Sequence, residues 1–172
     1  GNPGAGGGGN GGIGGRGGNE FYGGCQLNAS YGLGGKAPSY ATYKAFLGGG
    51  GGGGYKDNGL NATAGSNGGG MVFLTSPTIN GNNFTVDARG ANVIGNTDSE
   101  GAGGGGAGGY VHYMCNNTSS SINLDLRGGS GGNIFSTMWS SACHGPGGGG
   151  GGGAVSYLQG AIPANVTNLL AG

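Results

Sequence analysis

Charge is the first thing this chain has little of. Its 172 residues carry six basic and six acidic side chains, spread along the sequence, and no formal net charge. A nucleic-acid ligand needs a basic face to neutralise phosphates, and none exists. Proline is scarce as well. Five residues, with no Gly-X-Y period, exclude a collagen triple helix. No apolar stretch approaches the roughly 20 residues that cross a bilayer as a helix. The three cysteines, Cys25, Cys115 and Cys143, lack the C-x-x-C spacing of a zinc site. The chain opens at Gly1 without a methionine or a signal peptide, so it reads as a mature chain or a piece of a longer one.

Glycine fills the gap. It supplies 53 residues, about 31% against a usual ~7%. Two uninterrupted runs of seven stand out, one bounded by Gly48 and Gly54, the other by Gly147 and Gly153. Disorder does not fit, because disordered chains are charge-rich and poor in aromatics. This chain has 12 charged and 14 aromatic residues, and its apolar residues sit in alternating blocks.

A repeat organises those blocks. "FTVDARG" (84–90), "INLDLRG" (122–128) and "VTNLLAG" (166–172) align without gaps. Each follows a glycine cluster that leads into an apolar segment: Gly70 into "MVFLT", Gly109 into "YVHYM", Gly153 into "AVSYL". The unit is a glycine run, a strand, a polar turn, a second strand and a closing glycine-rich patch. Its spacing of about 40 residues is in the range of stacked repeats. Units at about 48–100, 101–144 and 145–172 follow a divergent segment, 1–47, within a single domain covering 1–172. In that segment "SYATYKAFL" permits a short helix at 40–47, and "GGRGGNEF" is spaced like "LRGGSGGNIF". The last unit ends at Gly172 without its glycine-rich patch, which predicts assembly end to end or side by side.

The second strand alternates with period 2. Phe84, Val86 and Ala88 face one side, as do Ile122, Leu124 and Leu126, and stacking makes them a shared core. Asp87, Arg89, Asp125 and Arg127 lie opposite and form a ladder that marks register and contributes little to stability. Leu169 and Ala171 replace the charges in the third unit, which weakens any catalytic reading of the aspartates.

Glycine runs that abut strands are not ordinary Gly/Ser linkers. Short strand pairs on flexible tethers would have nothing to cover their inner faces. An extended three-residue helix of glycine rises about 3.1 Å per residue, so seven residues match the length of a strand. Such helices can meet backbone to backbone and pair their free N–H and C=O groups. Gly48, Gly54, Gly147 and Gly153 are therefore expected to be packing positions, against neighbours in this chain or another. Strand-like glycine stacking in a β-solenoid is the competitor. A phosphate loop is excluded, since "GGK" at 34–36 continues to Ala37 and no fingerprint context surrounds the glycines.

No catalytic constellation emerges, and neither a metal nor a cofactor is expected. His112 and His144 read as structural. Ser140 and Ser141 near His144 lack the G-x-S-x-G elbow. Trp139 and Tyr40, Tyr43, Tyr55, Tyr110, Tyr113 and Tyr157 suit either sugars or subunit interfaces, and the interface is favoured. Six N-x-[ST] sequons, at Asn28, Asn61, Asn83, Asn116, Asn117 and Asn165, exceed the about two expected by chance from this composition. With an odd cysteine count they point outside the cell: one disulfide, for which Cys115 with Cys143 is favoured, and one further thiol.

The glycine runs alternating with short apolar strands resemble glycine-rich extracellular proteins. These are bacterial surface proteins with β-helix repeats, phage tail-fibre adhesins, and a small arthropod antifreeze protein that packs glycine-rich helices in layers. The resemblance lies in composition and period over most of the chain, and implies an extracellular scaffold or adhesin. The chain lacks the sustained Gly-x-x register and threonine arrays of the antifreeze protein and identifiable receptor-binding loops of the adhesins. The expectation is an all-β, glycine-rich repeat domain with short stacked strands and packed polyglycine-type segments, β-solenoid-like. Its expected role is that of a non-enzymatic, self-assembling subunit of a glycosylated fibre or surface appendage. The alternative is an adhesin that recognises a glycan or receptor through loops at 19–47 and 133–146.

Overall fold

A computed structural model of the chain describes residues 1–22, 26–27, 30–40, 44–57, 61–97, 100–135, 144–158 and 160–172, together with the backbone pairing of 21–22 with 26–27. The fold is all-β, with no helix among the described residues. Residues 44–47, within the segment that permitted a helix, are irregular, and 41–43 lie outside the described residues. The long strands are β3 (Met71–Asn80) and β6 (Tyr110–Ser120). Shorter ones are β4 (Thr85–Asp87), β7 (Ile122–Asp125), β9 (Ala154–Tyr157) and β10 (Val166–Leu169). Two-residue pairs complete the set: β1 (Phe21–Tyr22) with β2 (Gln26–Leu27), antiparallel, and β5 (Asn96–Thr97) with β8 (Asn133–Ile134), parallel.

Two three-stranded parallel sheets follow the repeat, ordered β3-β6-β9 and β4-β7-β10. Register is that of the sequence alignment: Met71 pairs with Tyr110 and Tyr110 with Ala154, while Thr85 pairs with Asn123 and Val166 with Ile122. No sheet closes or curls. Period-2 alternation sends Val111, Tyr113 and Cys115 of β6 inward, to meet Ile122, Leu124 and Leu126 across the gap. Val111, Tyr113, Leu124 and Leu126 are completely buried. Val72, Leu74, Val86, Val155 and Tyr157 pack around them. Phe84 departs from expectation: it is 69% exposed. It leaves the β3–β4 turn, where Asn82 and Asn83 take φ of 45° and 60°, a conformation asparagine tolerates.

The remaining half of the molecule is built from glycine-rich extended runs bonded to one another through their backbones. The run 101–109 lies at their centre, and every residue in it is buried. Its N–H groups cycle among three neighbours. Gly101, Gly104 and Ala107 donate to the carbonyls of Tyr55, Gly52 and Gly49. Ala102, Gly105 and Gly108 donate to Gly145, Gly148 and Gly151, and Gly106 and Gly109 to Ala91 and Ala88. Its carbonyls serve three others: Ala102 and Gly105 accept from Ala5 and Gly8, Gly104 and Ala107 from Ser66 and Gly69, Gly103 and Gly106 from Gly132 and Gly129. Six runs thus surround one, and partners recur every third residue. A backbone with three residues per turn produces that period.

Glycine is needed there for space, not for handedness. Among the described glycines only Gly95 and Gly160 have positive φ. A Cβ on Gly104 would lie 2.1 Å from the Gly6 carbonyl oxygen, on Gly105 2.0 Å from that of Gly129, and on Gly106 1.9 Å from that of Asn67. Runs 63–69, 101–109 and 145–153 continue directly into β3, β6 and β9. Strands β4 and β7 continue back as runs 88–93 and 126–132, and β10 continues into 170–172. The rows of the array and the sheets of the sandwich are therefore the same rows of chain.

Candidate functional site

The four glycines singled out from the sequence sit inside the array, against neighbours of their own chain. Gly48 and Gly54 donate to Gly69 and Thr63 at 2.9 Å, Gly147 to Gly132 at 2.9 Å and Gly153 to Leu126 at 2.8 Å. A Cβ on any of them would fall 2.3 Å or less from a carbonyl oxygen of run 101–109.

The charged ladder forms on the outer face of β4 and β7 and the residues that follow them. Arg89 Nη2 lies 2.7 Å from Asp87 Oδ2, and Arg127 Nη2 lies 2.7 Å from Asp125 Oδ2. Arg89 Nε reaches across to Asp125 Oδ2 at 3.7 Å. Hydrogen bonds from the Arg89 side chain and backbone hold Asp87 down to a pKa of about 2. The Arg127 side chain likewise lowers Asp125. Two arginines and two aspartates balance, so this face presents no net charge to an ionic ligand.

Among the described sequons, Asn61, Asn83, Asn116, Asn117 and Asn165 are exposed. Asn83 and Asn165 lie in the turns before β4 and β10, Asn116 and Asn117 lie within β6 past its pairing with β9, and Asn61 precedes run 63–69 at the array end. The Asn165 side-chain amide donates to the Thr118 carbonyl at 2.7 Å, which ties up the nitrogen a glycan would need. Asn28 lies outside the described residues.

Cys115 is a free, buried thiol, so the disulfide favoured for it is not formed in this structure. Its side chain points into the sandwich, where Sγ contacts the Asn117 carbonyl at 3.0 Å. Cys25 and Cys143 lie outside the described residues, as do Tyr43, Trp139, Ser140 and Ser141. The two histidines do not meet. His144 precedes run 145–153 at the array end and accepts from the Asn2 N–H at 3.1 Å. His112 stands on the outer face of β6, its Nδ1 2.8 Å from Ser156 Oγ. No group of three or more metal-ligating side chains forms among the described residues.

That outer face of β3-β6-β9 carries a cleft of about 830 Å³. Tyr40 stacks on Tyr110 with ring centroids 5.9 Å apart, and Phe46 meets Tyr40 edge-on at 5.3 Å. Phe73 tilts against His112 at 5.6 Å. Tyr110 Oη and Ser156 Oγ are 2.7 Å apart. Burial, and then Tyr110, push the Tyr40 pKa up, while its hydrogen bond to Asn10 pulls it down. The arrangement offers aromatic faces with a few hydroxyls, the composition of a sugar platform or a protein contact.

Two buried polar side chains escaped the sequence reading. Asn10 is fully buried, and its amide donates to the Gly108 and Gly109 carbonyls at 2.7 and 3.0 Å while Tyr40 donates to Oδ1. Glu100 is fully buried at the start of the central run, where its carboxylate accepts from the Asn2 side-chain amide and, at 3.4 Å, the Asp57 N–H. Both terminate runs of glycine, and no local pattern marks such a role. No protein-family model, curated protein or solved structure matches the chain.

Proposed function

We propose that the chain is a non-enzymatic extracellular structural protein, a self-assembling subunit of a glycosylated fibre or surface appendage. Its glycine half is a polyglycine-II-type array, and the whole is a β-solenoid-like stack of units at about 48–100, 101–144 and 145–172 on a divergent segment, 1–47. The observation that carries this reading is the coincidence of rows. Each unit rises through one glycine run and strand and returns through a second strand and run, in register with the unit before it. A stack of that kind grows by adding rows. Its edge strands β3 and β9 each have a side without a strand partner among the described residues, and unpaired edges invite a further chain. Exposed asparagines in the turns before β4 and β10 and within β6 support sugars that leave the edges clear. Electron imaging of the purified protein tests the reading. Filaments with an axial repeat commensurate with the domain are expected, and uniform monomers across the working concentration range would sink it.

The aromatic cleft favours the second reading, a binding module for a glycan. It predicts saturable binding of an oligosaccharide by the monomer, reduced by replacing the partly exposed Tyr40, Tyr40→Ala.

A further inference from the structure

The run 2–10 has five neighbours where the central run has six. Its N–H groups fall into three phases. Gly4, Gly7 and Asn10 donate to Gly18, Gly15 and Gly12, and Ala5 and Gly8 donate to Ala102 and Gly105. The third phase is Pro3, Gly6 and Gly9. Among the described residues Gly6 and Gly9 make no hydrogen bond through N–H, although Gly6 is buried. Pro3 has no N–H to offer, so proline occupies the phase in which a donor is not used within the chain. The same holds for run 145–153, where Pro146 shares its phase with Gly149 and Gly152, whose N–H groups are also unbonded. Around the central run, donor and acceptor neighbours alternate. By that alternation the free phase of run 2–10 faces the gap between runs 30–36 and 48–54.

A groove of about 480 Å³ occupies that gap, floored by Gly4, Gly6 and Gly7 and walled by Leu33, Gly50 and Gly53. The carbonyls of Leu33, Gly50 and Gly53 accept no hydrogen bond from the described residues. The Leu33 oxygen already lies 1.9 Å from where a Cβ on Gly6 would sit. Carbonyls within the array make the same close approach while also accepting an N–H: the Gly49 oxygen stands 1.9 Å from a Cβ on Gly8 and accepts from Ala107. The groove therefore has the floor, the walls, the donors and the acceptors of one more run, spaced every third residue. Tyr31, Leu33 and Tyr55, all exposed, stand at its rim.

We propose that this groove is a docking site for an extended glycine-rich segment of a partner chain, held as a further run of the array. Its carbonyls accept from Gly6 and Gly9, and its N–H groups donate to Leu33, Gly50 and Gly53. Unpaired backbone groups at a buried position are rare in folded proteins, and the partner removes that deficit. A side chain on the docked segment would meet the floor as a Cβ on Gly6 meets Leu33, so glycine is the residue that enters. The donor is not a second copy, because the long glycine runs of this chain are already bonded within it. The groove is lined from Pro3 to Gly7, and the free phase continues beyond it to Gly9, a span of about 19 Å at ~3.1 Å per residue that about six residues would cover. This site rests on the structural reading above and adds to its self-assembly a partner of a different sequence.

The test is titration of the intact protein with acetyl-hexaglycine amide, followed by the backbone amide signals of Gly6 and Gly9. Acetyl-hexasarcosine amide, in which the N–H of each residue is replaced by N–CH3, is the control. Saturable one-to-one shifts at Gly6 and Gly9, with at least tenfold weaker binding of hexasarcosine, are expected. Absence of saturation, or equal binding of the two peptides, overturns the proposal. So does a concentration-dependent loss of those two signals that hexaglycine does not compete, since it assigns the groove to a second copy. Hexaglycine binding without filaments would retain the groove and remove the fibre; filaments without hexaglycine binding would do the reverse.

Discussion

The two halves of the molecule solve the same packing problem with opposite materials. In the sandwich, Tyr113, Leu124 and Leu126 fill the space between sheets, and stability comes from apolar area taken out of water. In the array, side chains are few and, within the central run, no larger than the methyls of Ala102 and Ala107. Runs approach until carbonyls touch Cα atoms, so stability rests on backbone hydrogen bonds and close contact. One continuous set of rows passes from one half to the other. Dense packing can therefore be reached by filling space or by removing what would fill it. The second route costs more backbone entropy, and it tolerates substitution far less.

Mutations should separate the halves. Gly106→Ala adds a methyl 1.9 Å from the Asn67 carbonyl oxygen inside six neighbours. It is expected to cost ~3 kcal/mol or more and to leave little folded protein, as read by denaturant unfolding. Leu124→Ala in the sandwich opens a cavity and is expected to cost ~2–5 kcal/mol with the array intact. If the alanine added at Gly106 proves milder than the one that truncates Leu124, the contrast fails. Asn10→Ala removes the donor to two carbonyls of the central run and is expected to cost ~1–3 kcal/mol.

The ladder is a smaller effect. Asp87 is depressed to about 2 from an ordinary value near 3.8, and Asp125 is lowered in the same direction. The folded state holds these carboxylates ionised, so their contribution is full above the unfolded pKa and is lost as pH falls, that of Asp87 between about 4 and about 2. The Arg89–Asp87 pair is half-exposed on both sides, which limits its share to less than ~1 kcal/mol. Asp87→Asn should flatten the acid limb of stability against pH, and an unchanged limb would remove the ladder from the account. Smallest of all is Gly53→Ala. Its Cβ meets nothing within 4 Å, so a change within ~0.5 kcal/mol is expected. A large loss there would mean that glycine serves the backbone and not the spacing.

Much of the fold was legible. The gapless alignment of 84–90, 122–128 and 166–172 gave the register of β4-β7-β10, because a stacked repeat must place equivalent residues side by side. Period-2 alternation placed Ile122, Leu124 and Leu126 in the core and put Asp125 and Arg127 on the outer face. Phe84 broke the pattern because turn geometry at Asn82 and Asn83 overrode it. The phases of the glycine runs were hidden for a different reason. A run of identical residues carries no mark of which N–H faces which neighbour, and only Pro3 and Pro146 signal a phase. Asn10 and Glu100 were invisible because their partners lie about a hundred residues away.

The central claim is that residues 101–109, seven glycines and the buried Ala102 and Ala107, form a core with no side chain larger than a methyl. Native-state hydrogen exchange at the amides of Gly104, Gly105, Gly106 and Gly108 tests it most directly. The account predicts protection equal to that of Val111 and Tyr113 in β6, because both segments open only when the whole domain unfolds. Exchange near the rate of an unstructured chain at the glycines, with β6 still protected, would contradict it and return the runs to flexible linkers.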